Sequence, residues 1–269
     1  MWPVKTVVMM IIGIWNVGNI TGFQHSVIRG ANFPITGRKA TGYKSSPLVS
    51  YYPPPLVPTN KTIFCIDFST GIPDDLGRDD FTITENGNLQ FRPYSKFNGV
   101  SLYVPTGSTD VPYILSDLRF QRTFPLTLEA WVYLESSAVA AQRIISVEAG
   151  ANKNYRLGVS SSGFLEFEVF IDTAYVAIAA TTLAKVGEFF YVAGIYDGGN
   201  LKLFDGLTEY SAAQSGKVVT GASAVMFGAS PGEDPPTTFN NPLRGYLAGA
   251  QMLGRTRTRS EVERYLIGV

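Results

Sequence analysis

Cysteine and histidine are nearly absent from this sequence, which carries one of each, Cys65 and His25. A lone cysteine builds no disulfide framework. A lone histidine supplies neither a metal cluster nor a Cys/His pair, so most catalytic constellations built on imidazole or thiolate are excluded. Cys65 stands among alternating apolar residues in IFCIDF and reads as a buried packing thiol, while His25 reads as a solvent-facing loop residue. An excess of charge is also missing, with Lys+Arg and Asp+Glu both at 22. A neutral molecule has no long-range field to draw it to nucleic acid or to an acidic membrane surface, and neither is expected as a partner. No membrane span is expected either, because the strongest apolar run, Val7 to Trp15, is short of the ~20 residues that cross a bilayer.

That run opens two readings. Following Lys5, it resembles a secretory signal, but Asn16, Val17, Gly18 and Asn19 make a poor small-residue cleavage site. The preferred expectation is a retained segment in which Val7, Val8, Ile11, Ile12 and Trp15 pack on another protein, each burial being worth about 1.5 to 3 kcal/mol. An unprocessed signal is the alternative. From Thr21 to Thr59 no helical or strand period is sustained, and the stretch ends in SSPLVSYYPPPLVPTN, where proline forbids helix and removes ladder donors. Residues 1–60 are therefore expected as an extended N-terminal arm with a semi-rigid polyproline linker, ordered by lying on something else.

What the rest contains is alternation. With 45% hydrophobic residues the chain can bury one sizeable core, and from Lys61 onward short alternating runs are separated by turn residues. TITENGNLQF places Asn86 and Gly87 between two such runs, a two-residue hairpin signal. In VGEFFYVAGIYDGGNLKLFDG, Phe189, Tyr191, Ala193 and Ile195 share one face and Phe190, Val192 and Tyr196 the other, so this is a central strand covered on both faces. Leu128, Ala130, Val132, Phe189, Tyr191, Ile195, Leu201 and Leu203 are expected to be buried. The chain closes with RTRTRSEVERYLIGV, the one helix. Ser260 and Glu263 have capping-box spacing, and the stripe Val262, Tyr265, Leu266, Val269 is expected to cap an open end of the sandwich.

LTLEAWVYLESS, YRLGVSSSGFLEFEVF, VGEFFYVAGIYDGGNLKLFDG, AVMFGAS and PLRGYLAGAQMLGRTRTRSEVERYL follow one another in the order and spacing of laminin-G-like domains. With CIDFSTG and FNGVSLYVP upstream, residues 61–269 resemble that family, which belongs to the concanavalin A-like lectin/glucanase jelly rolls. The resemblance implies an all-β jelly-roll sandwich of two antiparallel sheets with a short C-terminal helix, whose rim loops in some members bind calcium and sugars. Two positions depart from the family: its common tryptophan is Phe189 here, and its late acidic residue is Ala248. The second change removes an anchor for a family-type calcium site. No cofactor is expected beyond weak Ca2+ in a rim loop, and the acidic loops IPDDLGRDDF (Asp74, Asp75, Asp79, Asp80) and PGEDPP (Glu233, Asp234) show no ligand spacing.

Glucanases of this fold carry carboxylates at i, i+2 and i+4 of one strand, because alternate side chains enter one cleft and retaining hydrolysis needs an acid and a nucleophile about 5 Å apart. Here Glu166 and Glu168 share a face, but the i+4 position is Phe170. No catalysis is expected. Glu166, Glu168 and Phe170, with Asp197 and Asn200 at the rim, are instead candidate glycan contacts. Arg255, Arg257 and Arg259 are expected to pair with carboxylates at an interface. The expected function is that of a non-enzymatic bacteriophage virion protein, a capsid decoration, head fibre or tail component. Its arm would bind other virion proteins, its sandwich would face host surface polysaccharide, and copies would associate with one another. A secreted or cell-surface carbohydrate-binding module is the alternative, and a degenerate glycoside hydrolase is a third reading.

Overall fold

A computed structural model describes residues 56–267 apart from 78–80, 94–98, 121–124, 137–139, 150–151, 217, 219–220, 222, 233–235 and 237. The expected anchor residues Val7, Val8, Ile11, Ile12 and Trp15 lie outside the described residues, as do His25, Asp79, Asp80, Glu233 and Asp234. In chain order the strands are β1 (Thr62–Asp67), β2 (Asp74–Asp75), β3 (Ile83–Glu85), β4 (Gln90–Arg92), β5 (Ser101–Val104), β6 (Pro112–Asp117), β7 (Leu126–Leu134), β8 (Gln142–Ala149) and β9 (Asn152–Val159). They continue as β10 (Phe164–Ile171), β11 (Ala174–Leu183), β12 (Phe189–Tyr196), β13 (Asn200–Asp205), β14 (Thr208–Ala213), β15 (Ser223–Phe227), β16 (Ser230–Pro231), β17 (Phe239–Asn240) and β18 (Gly245–Leu253). One helix, α1 (Arg259–Ile267), follows, and none of the described helices is long and apolar enough to cross a membrane.

All pairings between these strands are antiparallel; β16 and β17 pair as a small third sheet, and two large sheets form the jelly-roll sandwich. One has the order β14-β13-β12-β7-β18-β1-β2, with β5 on β18 and β4 on β5; the other runs β11-β10-β9-β8-β15-β6-β3. Alternation sends Leu128, Ala130 and Val132 of β7 and Phe190, Val192 and Tyr196 of β12 into the core between them, opposite Leu157, Phe167 and Val169. Gly194 of β12 is there for closeness: a Cβ at this position would stand 2.2 Å from the Phe167 ring. Of the residues expected in the core, seven are fully buried and Phe189 is half-buried.

The other face of β12 is covered as well. Tyr191, Ala193 and Ile195 join Trp131, Cys65, Ala248 and Val262 in a second apolar cluster, against which Tyr265 and Leu266 of the helix pack. The helix therefore lies on the outer face of the nine-stranded sheet and does not cap an open end. Its stripe needs an apolar partner, and the outward side chains of β12 and β7 supply one. Leu56 is buried in the same cluster, so the residues just after the polyproline stretch are seated on the sandwich.

Two local readings change. Asn86 and Gly87 do form a turn, with Gly87 at φ +70°, but β3 pairs with β6 and β4 with β5, so the turn carries the chain from one sheet to the other. Asn86 is spent holding the segment that leads into β6: its N–H donates to the Val111 carbonyl and its side-chain amide to the Thr109 carbonyl. The capping box begins two residues earlier than expected. Thr258 Oγ1 accepts from the Glu261 N–H at 3.3 Å, and Glu261 Oε2 accepts from the Thr258 N–H at 2.8 Å.

Glu261 also takes a two-pronged ion pair from Arg255, at 2.6 and 2.9 Å. This guanidinium, helped by the Thr258 hydrogen bonds and opposed by partial burial, holds the Glu261 carboxyl down to about 2. A carboxyl lowered on folding stabilises the fold above its unfolded pKa of about 4.3 and stops doing so as pH falls through its folded value. At this partly exposed site the contribution is about 1 kcal/mol. Glu261→Gln should accordingly melt earlier than wild type at pH 6, with the gap closing between pH 4.5 and 2; a gap independent of pH in thermal scans would show that the ion pair contributes nothing.

Candidate functional site

Residues that alternate with the core positions of β8, β9 and β10 point to the outer face of the seven-stranded sheet, and an unusual number of them are charged. Glu166 and Glu168 are outward residues of β10, as is Phe170, Arg156 is the outward residue of β9 opposite Glu168, and Arg143 and Glu148 come from β8. Gly158 lets Arg143 cross β9, since a Cβ there would sit 2.3 Å from the Gln142 carbonyl oxygen and 3.3 Å from Arg143 Cδ. Arg143 Nη1 donates to Glu166 Oε1 at 2.7 Å, and its Nη2 lies 3.2 Å from Glu168 Oε2. Arg156 Nη2 donates to Glu168 Oε1 at 2.7 Å, and its Nη1 lies 3.8 Å from Glu148 Oε2. Tyr175 of β11 closes the row by donating its hydroxyl to Glu148 Oε2 at 2.6 Å, with its ring 3.6 Å beneath the Arg156 guanidinium and 5.2 Å from the Phe170 ring. The result is a charged ladder across four strands, ending in two aromatic rings.

The ladder is only partly satisfied. Arg143 Nε and Arg156 Nε are buried without an acceptor, and Glu168 Oε2 has its arginine at ion-pair distance but outside hydrogen-bond geometry. A polar network with unmet partners is a poor device for stability. Burial pushes the Glu148 carboxyl up, and the opposing Tyr175 hydrogen bond and the Arg156 and Arg143 charges do not cancel it. Burial, then Glu148, push the Tyr175 phenol well up, so it stays a donor.

The expected site residues fall in two places. Glu166, Glu168 and Phe170 are brought together on β10, whereas Asp197 and Asn200 belong to the β12–β13 turn of the other sheet. Asp197 Oδ1 accepts from the Gly199 and Asn200 N–H groups at 2.8 and 2.7 Å. Slight burial pushes its carboxyl up, but those hydrogen bonds win and hold it low. Asp75, one of the acidic-loop residues, is buried and accepts from the Cys65, Gly77 and Phe81 N–H groups, which makes it a clip between β1 and the following loop. Among the described residues no group of three or more His, Cys, Asp or Glu could hold a metal ion. The three arginines of RTRTRS find carboxylates inside this chain: Arg255 on Glu261, Arg257 on Glu129, Arg259 on Glu263. Arg143, Glu148, Arg156 and Tyr175 were missed by sequence reasoning. The available signal was a charged residue at an outward position in successive strands.

Chemically, this arrangement offers fixed guanidinium donors and carboxylate acceptors beside two rings. On β10 it lacks a third alternate carboxylate, because Phe170 occupies that position, and the two carboxylates of that strand already accept guanidinium hydrogen bonds.

Residues 105–263 match the family described as the concanavalin A-like lectin/glucanases superfamily. A comparison with curated proteins finds no match. Among solved structures, the fold is similar to the binding domain of botulinum neurotoxin DC in complex with rat synaptotagmin II, with a TM-score of 0.61, 11% identity and coverage of 77% of this chain and 51% of that one. It is similar also to the binding domain of Paraclostridial Mosquitocidal Protein 1 (TM-score 0.61, 8% identity, 77% and 52% covered). A third similar structure is domain 4 of AbnA, a GH43 extracellular arabinanase from Geobacillus stearothermophilus, in complex with arabinotriose (TM-score 0.59, 15% identity, 77% and 98% covered). The chain spans about half the length of the two toxin domains. At these identities the likeness is one of fold.

Arg143→Ala should cost about 1 to 3 kcal/mol in urea unfolding, because it leaves Glu166 and Glu168 on one strand face without the cation between them. Adding Glu166→Gln should recover part of that loss. No recovery would mean that the cost is packing and not unpaired charge.

Proposed function

The chain belongs to the concanavalin A-like lectin/glucanases superfamily, and from that premise we propose that it is a non-catalytic carbohydrate-binding protein that reads its glycan on the outer face of the seven-stranded sheet. The observation that carries this reading is the ladder itself. Sugar hydroxyls both donate and accept, and a row of alternating guanidinium and carboxylate groups meets both demands, while the Phe170 and Tyr175 rings offer apolar surface to a pyranose or furanose face. The partly unsatisfied arginines support recognition over stability. Phe170 in place of a third carboxylate supports binding over hydrolysis, and the arabinotriose-bearing arabinanase domain supports a saccharide as the ligand class.

We place this module on the outside of a bacteriophage virion, as a capsid decoration, head fibre or tail component facing host surface polysaccharide. The support is the order of segments in the sequence: an apolar start, a long aperiodic stretch, a polyproline linker, then a lectin-like sandwich. The resemblance of Lys5 to Trp15 to a secretory signal favours a secreted module as the second reading.

On a glycan array, and then by titration calorimetry with the oligosaccharides that score, Arg156→Ala and Glu168→Ala should each weaken binding at least tenfold with the fold intact by circular dichroism. Wild type should release no reducing ends from the bound glycan; release that disappears in Glu166→Gln would replace this reading with the hydrolase.

Attachment is tested separately, and the trimming point matters. Leu56 is buried and the Tyr265 hydroxyl donates to the Val57 carbonyl at 3.1 Å, so removal should stop at Pro55. Deleting residues 1–55 is expected to leave a folded sandwich that binds glycan but no longer incorporates into particles; incorporation at wild-type level would remove the anchoring role.

A further inference from the structure

Among the described residues, five strands stand at the edges of the two large sheets, and four of them are guarded. β2 has 2 residues, β3 and β4 have 3 each, and all three carry a charged side chain. β14 has 6, and its Glu209 is paired with Lys202 at 3.1 Å. β11 differs. It runs for 10 residues, AYVAIAATTL, without a charge or a proline, and it pairs only with β10. An edge of that length without lysine, proline or a short span is a template for another strand.

Its one guarding device covers one end only. The register against β10 slips between Leu183↔Phe164 and Ala179↔Glu166, a bulge that bends the last residues toward β14, where Thr182 Oγ1 lies 3.4 Å from the Tyr210 hydroxyl. From Ala174 to Ala179 the strand stays in one-to-one register with Ile171 to Glu166. We propose that β11 is a self-pairing edge, on which a second copy of this chain lays its own β11 antiparallel about a two-fold axis through Ala177.

The sequence fits that axis. Outward and inward side chains must meet their own kind across the join, so the axis has to pass through a residue and not between two. With Ala177 there, Tyr175 faces Ala179 of the second copy and Val176 faces Ile178, a bulky residue against a small one and two β-branched residues together. No charge opposes a like charge. The copy is favoured over an unrelated strand because one five-residue stretch, centred on the axis, satisfies both sides at once, and an isologous pairing closes after two chains. Its consequence is geometric: Glu168 pairs with Ala177 across β10 and β11, so the two ladders would lie on one continuous face. Three strand spacings, about 14 Å, would separate their Glu168 rows. Two saccharide sites at that spacing on one face would bind a polymer with avidity.

The test uses the full chain. Light scattering after gel filtration should give twice the 29.3 kDa chain mass for wild type, and the single mass for Ala177→Lys, which sets two cations on the axis. Ser211→Lys on the β14 edge should keep the double mass. Ala177→Cys should cross-link to itself under mild oxidation, since directly opposed residues have Cα atoms about 4.5 to 5.5 Å apart, inside disulfide range, and the native Cys65 is buried. Ser211→Cys should not. The proposal falls if wild type has the single mass, if the double mass survives Ala177→Lys, or if Ala177→Cys cross-links no better than Ser211→Cys.

Discussion

The nine-stranded sheet depends on one ion pair sealed beneath the helix. Glu129 stands on β7 at the middle of the sheet, fully buried, and Arg257, at 6% exposure, reaches it with Nε at 3.0 Å and Nη2 at 2.7 Å. Taking two charges out of water costs several kcal/mol each, and such a pair holds only if its remaining hydrogen-bonding capacity is met. It is met here. The Tyr191 hydroxyl donates to Glu129 Oε2 at 2.6 Å, and Arg257 Nη2 donates to the Tyr265 hydroxyl, which in turn donates to the Val57 carbonyl. Burial works against the Arg257 charge, but Glu129 beside it raises the guanidinium pKa above its ordinary value. The pair therefore ties four parts of the chain to one point: the central strand β7, its neighbour β12, the helix, and the segment that leads into β1. Tyr265 stacks on Tyr191 at 6.0 Å, so the helix is held by ring contact as well as by charge.

This bond makes the two sheets unequal. The helix and Leu56 occupy part of the outer face of the nine-stranded sheet, and a row of paired aromatics, Tyr103, Tyr246, Tyr133 and Phe189, packs beside them with ring centroids 4.7 to 5.6 Å apart. On the seven-stranded sheet the outward residues of β8 to β11 are instead the ladder. Both sheets thus carry paired charges on their outer faces, satisfied to different degrees. Glu129 and Arg257 are satisfied and enclosed, whereas Arg143 and Arg156 have buried Nε groups with no acceptor and pair with carboxylates at 10 to 15% side-chain exposure. A network that served stability alone would resemble the first.

How much of this could be read from the sequence differs from element to element. Alternation in EFFYVAGIYD was enough to predict a strand covered on both faces, because a period of two assigns each side chain to a face without reference to any other strand. The helix showed its stripe, but a stripe says that a face is buried and not against what, so its place on the outer sheet was not legible. The Asn86–Gly87 turn was legible as a turn; its role was not, since the partners of β3 and β4 are fixed by β6 and β5, far along the chain. The capping box is Thr258 and Glu261, two residues before the Ser260 and Glu263 spacing, and both pairs satisfy the sequence pattern, so only the folded helix end distinguishes them. Glu166 and Glu168 could be placed on one face by alternation. Their arginines could not be assigned to them, because β8 carries two register shifts and only the folded pairing shows which residue stands opposite which.

The residue that decides what the ladder can do is Phe170. With an acid at that position, alternate carboxylates on one strand would have the pattern from which a retaining hydrolase draws its acid and nucleophile. Phe170 instead sets an apolar ring against Tyr175, whose hydroxyl is committed to Glu148, whose neighbour Arg156 is committed to Glu168. Each commitment fixes a group in position. Fixed donors and acceptors lose little rotamer entropy when a ligand meets them, so the row is preorganised. The ring at Phe170 thus stands where a third alternate carboxylate of β10 would stand, and the same residue extends a row of side chains already fixed by their neighbours.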